Sequence, residues 1–160
     1  MATLLFDLLT EPESGDRGLV FDISLLAQRL QAAAVWSRSQ PQLAALPLGY
    51  FGASTGAAAA LVAATEDPAV NAIVSRGGRP DLAGDRLPLV TAPTLLIVGG
   101  ADTPVIGLNH LALAKLRCIK ELVMVAGATH LFEETGALEE VASQAARWFA
   151  RYFRPDAPAL

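Results

Sequence analysis

The 160-residue chain has a single cysteine and only two histidines. Cys118 alone cannot build a disulfide framework within one chain, which fits a reducing, cytoplasmic setting. So small a supply of thiolate and imidazole leaves almost nothing for a zinc site of the Cys/His kind, and no metal is expected. Charge is scarce too, at 18% of residues with a net of −4, which argues against nucleic acid as the main partner. Long apolar runs are missing. No stretch approaches the roughly 18–20 uncharged apolar residues that a bilayer span requires. The start, MATLLFDLLTEPES, has no basic n-region and is interrupted by Asp7, so no signal peptide is read there.

What the chain does hold is apolar residues, at 52%. Alanines at 32–34 and within 53–64 carry much of that count and suit close-packed helices. The length suits one domain over 1–160, able to bury roughly 68–70% of its unfolded surface without disulfides. The tail RPDAPAL at 154–160 reads as frayed.

Short apolar runs alternate with helix-length segments. ATLLFDLL at 2–9 reads as a buried strand holding Asp7 near its end, and loop chemistry fills 10–18. Residues 22–39 carry apolar groups at 3.6-residue spacing, with Asp22 as N-cap. Further strands are expected at 46–52, 70–75, 94–100 and 121–127, and helices at 54–66, 108–117 and 137–153. The segment RGGRPDLAGD after the third run reads as loop. Five apolar runs separated by helices predict an α/β protein with a mainly parallel five-stranded sheet and helices on both faces.

Where the second run meets its helix, the chain reads Gly52-Ala53-Ser54-Thr55-Gly56, the pattern Gly-x-Ser-x-Gly. On a sharp strand-to-helix turn a serine is lifted above the sheet edge, and larger flanking residues would clash. The helix N-terminus beside it supplies N–H groups and a positive dipole end for developing negative charge. The plainer alternative is that Ser54 N-caps an alanine-rich helix, in a chain with 13 glycines. A serine also needs a base. His110 lies inside a helical pattern, whereas His130 follows the last strand and shares the C-terminal sheet edge with Ser54. Asp102, after TLLIVGG, stands at the same edge and can orient an imidazole; it also reads as a turn aspartate, with Asp81 and Asp85 as rivals. The order Ser54, Asp102, His130 is the nucleophile-acid-base order of one hydrolase class. Arg76 and Arg79 leave the third strand at this edge and can fork a substrate carboxylate, or else pair with neighbouring aspartates.

With GYFGASTGAAAALVAA, APTLLIVGGAD and VAGATHLFEE, the chain resembles an α/β-hydrolase, most of all the small dienelactone-hydrolase-like branch. The likeness covers nearly the whole chain and implies a minimal or truncated version of that fold, lacking its N-terminal strands. It implies Ser54 as nucleophile, Asp102 as acid, His130 as base and the Thr55 N–H as an oxyanion donor. The implied chemistry is hydrolysis of carboxylic esters through an acyl-enzyme, without metal or organic cofactor. Ser54 stands where dienelactone hydrolases proper carry cysteine, which favours ordinary small esters. The absent segment normally brings the second oxyanion donor and a helix shielding one sheet face. A homodimer or larger homo-oligomer covering that face is therefore expected. Two other readings stand beside the esterase: a catalytically silent binding or assembly module, and an acyltransferase.

Overall fold

A computed structural model describes residues 1–153. Four parallel strands, β1 (Leu48–Ala53), β2 (Val70–Arg76), β3 (Thr94–Gly99) and β4 (Lys120–Val125), lie side by side in the order β1-β2-β3-β4. They are preceded by α1 (Glu11–Ser14), α2 (Arg17–Val20) and α3 (Ile23–Ser39) and linked by α4 (Thr55–Thr65), a 3-10 segment (Pro80–Leu89) and α5 (Thr103–Lys115). The helix α6 (Ala137–Tyr152) closes the described chain. Among the described residues, no helix is long and apolar enough to cross a membrane.

The central strands β2 and β3 are covered on both faces, which is why β3 is buried at every position. On one face Tyr50, Ile73 and Leu96 pack under α4, with Leu87 and Leu116 beside them. On the other, Ala72, Val74, Leu95 and Ile97 meet Val141, Ala145, Trp148 and Phe149 of α6. A helix apolar all round must be buried all round. α4 meets that condition: Ala57 to Leu61 have no exposed surface, because α3 lays Leu26, Ala27 and Ala34 over it. Asp22 caps α3 as expected, its carboxylate accepting the Leu25 N–H at 2.9 Å.

Three expectations need correction. The sheet has four strands rather than five, because residues 2–9 form no strand. A strand persists only within a hydrogen-bonded ladder, and this run lies in none. Leu8 and Leu9 seat on the core beside α4, while Arg29 of α3 donates to the Leu8 carbonyl at 2.8 Å and forks the Glu13 carboxylate. The residues before them stand in solvent, Leu5 at 92% exposure. Second, 10–18 is not plain loop: α1 and α2 form there, with the Thr10 N–H donating to Glu13 and the Gly18 N–H to Asp16. Third, the segment after β2 winds into 3-10 turns, broken at Gly84 where φ is +55°. The expected fraying at 154–160 lies outside the described residues.

Candidate active site

Ser54 follows the last residue of β1 and occupies the N-cap position of α4, with φ +50° and ψ −123°. Few residues other than glycine adopt that conformation, and it costs roughly 1–3 kcal/mol. Its hydroxyl makes no capping hydrogen bond. The turn is tight on one side only. A Cβ on Gly52 would lie 2.3 Å from the Gly56 carbonyl oxygen and 2.7 Å from the Ala57 Cα. A Cβ on Gly56 would meet nothing nearer than the Leu8 Cδ1 at 4.0 Å. The steric rule therefore holds at the first glycine and not at the second.

Asp102 and His130 meet at the same edge. His130 Nδ1 lies 2.7 Å from Asp102 Oδ2. Asp102 holds the N-cap position of α5, yet its carboxylate caps no backbone N–H. It is 8% exposed, and the His130 side chain 40%. With an Nδ1–H turned to the carboxylate, Nε2 keeps the free lone pair. Backbone stitches set this geometry, because Gly100 donates to the Val125 carbonyl at 2.8 Å and Ala101 to that of Ala128 at 2.9 Å. A Cβ on Gly99 would fall 2.4 Å from the Ala128 oxygen, so β3 can run this close to the histidine loop only as glycine.

Two residues that sequence reasoning missed shape that loop. Phe132 has φ +59° yet no exposed surface. Burial of such a ring contributes about 1.5–3 kcal/mol, enough to offset the backbone strain. Glu134 accepts from both the N–H and the hydroxyl of Thr129, at 3.1 and 2.7 Å, closing the loop around His130. These bonds hold its carboxyl below the ordinary carboxylate range. Neither residue has a sequence signal beyond its place near His130.

Arg76 and Arg79 part ways. Arg79 forks Asp81 with bonds of 2.9 and 2.8 Å, so its guanidinium is already matched to a carboxylate. Arg76 pairs with no carboxylate among the described residues. It lies over the Phe132 ring at 5.6 Å, donates to the Leu131 carbonyl at 3.3 Å, and stands in register with Ala53 beside Ser54. The other candidates lie apart from this arrangement, His110 and Asp85 being exposed.

A parallel sheet flanked by helices, with a strained serine and an Asp-His pair at its C-terminal edge, is the architecture of an α/β-hydrolase. The profile of the dienelactone hydrolase family matches residues 19–154, and the chain belongs to that family. A dienelactone hydrolase from Anabaena variabilis superposes with a TM-score of 0.88 at 56% identity, over 92% of this chain and 71% of that one. The esterase domain of a Rhodothermus marinus protein shares the fold, with a TM-score of 0.70 at 21% identity over 80% of this chain and 70% of that one. Two Mycobacterium tuberculosis proteins, from strains CDC 1551 and H37Rv, are 62% identical over 150 residues, 92% of this chain. Their names provisionally call them phosphoribosyl transferases, and the chain spans 34% of their length.

Proposed function

We propose that this chain is a serine hydrolase that cleaves small carboxylic esters through an acyl-enzyme. The observation that carries this reading is the 2.7 Å His130–Asp102 pair at the sheet edge where Ser54 holds its strained turn. Ser54 Oγ attacks the ester carbonyl while His130 Nε2 takes its proton and passes it to the leaving alcohol. Asp102 holds the imidazole and offsets its charge, and the Thr55 N–H receives the carbonyl oxygen as it turns negative. Water then repeats the sequence against the acyl-serine. Arg76, left without a carboxylate of its own, supports recognition of an anionic group on the substrate. Arg79 drops behind it, since Asp81 occupies its fork. The name of the mycobacterial proteins describes chains about three times as long, and the hydrolase-family match supports ester chemistry for the part shared here.

Ser54→Ala should abolish turnover of p-nitrophenyl acetate; unchanged turnover rejects the assignment. One further reading is a hydrolase-like module that binds or assembles without catalysis. A fluorophosphonate probe separates the two, because labelling at Ser54 requires an activated hydroxyl. Acyl transfer in place of hydrolysis would appear as a product ester or amide when an alcohol or amine acceptor is supplied. Pairing of two copies is part of the same proposal. β1 is an edge strand, and its Phe51 is 49% exposed on the face that α6 covers at Gly49 through Phe149 and Phe153. A two-fold axis can set two such edges antiparallel and cover both phenylalanines. The lone Cys118, free and half-buried, supports a reducing, cytoplasmic location.

A further inference from the structure

Asn109 lies two turns into α5 and is wholly buried. A buried carboxamide costs free energy unless it is hydrogen-bonded, so its bonds define its use. Its Nδ2 donates to the Val105 carbonyl one turn back at 2.9 Å, and to the Gly78 carbonyl, 31 residues away, at 3.1 Å. Its Oδ1 has no partner among the described residues. Only the donor end is engaged.

The Gly78 carbonyl shares a peptide plane with the Arg79 N–H. That N–H donates to the Ser54 carbonyl at 3.0 Å. The Ser54 carbonyl in turn shares its plane with the Thr55 N–H. One line of hydrogen bonds thus runs from Asn109, through the 78–79 peptide, to the 54–55 peptide, whose N–H is the oxyanion donor in the reading above. The plane in the middle has little freedom. A Cβ on Gly78 would fall 2.1 Å from the Ser75 Oγ and 2.5 Å from the Ala57 Cβ, so the segment is pressed onto the start of α4. Beside it, the Gly77 N–H donates to Ile97 at 2.8 Å, and a Cβ on Gly77 would sit 3.0 Å from the His130 carbonyl oxygen.

We propose that Asn109 is a positioning residue for ester hydrolysis, acting through two peptide planes to aim and polarise the Thr55 N–H at the developing oxyanion. Bonds in such a line strengthen one another, and a donor held at the correct angle before reaction needs no reorganisation when charge appears. The proposal rests on the Ser54–His130–Asp102 reading. Losing an oxyanion donor outright costs about 10²–10³ in rate, so loosening one should cost about tenfold.

The test compares wild type, Asn109→Ala and Asn109→Asp on a p-nitrophenyl ester, with a boronic acid as transition-state analogue. Asn109→Ala is expected to lower kcat about tenfold with KM within twofold, and to weaken the boronate in step with kcat/KM. Asn109→Asp keeps the shape but, once ionised, cannot donate to Gly78. Its kcat relative to wild type should therefore rise as pH falls and its carboxyl regains a proton. A folded Asn109→Ala with wild-type kcat and boronate affinity overturns the proposal, as does a folded Asn109→Asp with wild-type kcat at a pH where its carboxyl is ionised. Amide exchange in the wild-type chain supplies a check that no variant can spoil. The Arg79 N–H is expected to be strongly protected, and exchange at a free-loop rate overturns the proposal too. A wild-type chain inert to both ester and fluorophosphonate instead sinks the underlying triad reading, and this inference with it.

Discussion

Asp102 Oδ2 stands 2.7 Å from His130 Nδ1, although Asp102 sits where its carboxylate would ordinarily cap α5. The helix gives up a capping bond worth roughly 1 kcal/mol, and the imidazole gains a fixed tautomer. Asp102→Asn should keep the fold and lower kcat by about 10⁴-fold, as expected when the orienting acid presents the wrong hydrogen-bond partner. Ester kinetics alongside circular dichroism measure both. A variant within tenfold of wild type would remove Asp102 from the mechanism.

The turn at Ser54 sets stability against activity. Ser54→Gly and Ser54→Ala should both be inactive, but glycine accepts φ +50° freely and alanine does not. The glycine variant should therefore be the more stable, by about 1 kcal/mol or more in urea titration. Equal midpoints would show that the turn stores no strain.

Acid should loosen the amino-terminal helices before the sheet. Bonds from Arg29 and Thr10 hold the Glu13 carboxyl down to about 2 from an ordinary 4.5. The folded value lies below the unfolded one, so the stabilisation is full above pH 4.5 and is lost as pH falls toward 2. The melting temperature of wild type minus that of Glu13→Gln should be positive at pH 6 and shrink across that window. A difference independent of pH would mean the Arg29 fork contributes nothing in solution.

Phe51 offers a direct check on assembly. Sedimentation velocity at micromolar concentration should show a dimer for wild type, and Phe51→Lys should shift it toward monomer without unfolding it. A wild-type chain that sediments as a monomer refutes the two-fold pairing.

How much of this could be read from residues alone depends on whether a signal is local. β3 was legible because TLLIVG is apolar at every position, as a strand covered on both faces must be. The common edge of Ser54, Asp102 and His130 was legible because strand ends in a parallel sheet lie together, so position along the chain implied position in space. The run at 2–9 misled for the opposite reason. Its apolarity is local, whereas a strand depends on a neighbour, and Arg29 and the core beneath Leu8 claimed it instead. Asn109 was invisible: an asparagine within a helical pattern says nothing of a carbonyl 31 residues away. The Arg79–Asp81 fork lay between these cases, since opposite charges two residues apart suggested a pair without showing which arginine would be left over.

The strand order β1-β2-β3-β4 has a consequence for how the chain acquires its shape. Each strand lies against the one completed just before it, so no slot must be held open for a later segment. Chain closure then proceeds through successive helix-bearing crossovers between strands adjacent in sequence, which carries a smaller entropic barrier than pairing across the length of the chain. A chain leaving the ribosome can lay down β1, fold α4 over it, and add β2, β3 and β4 in turn. His130 follows all four strands, so its pairing with Asp102 forms only once the sheet edge is laid down, and α6 closes over the sheet after it.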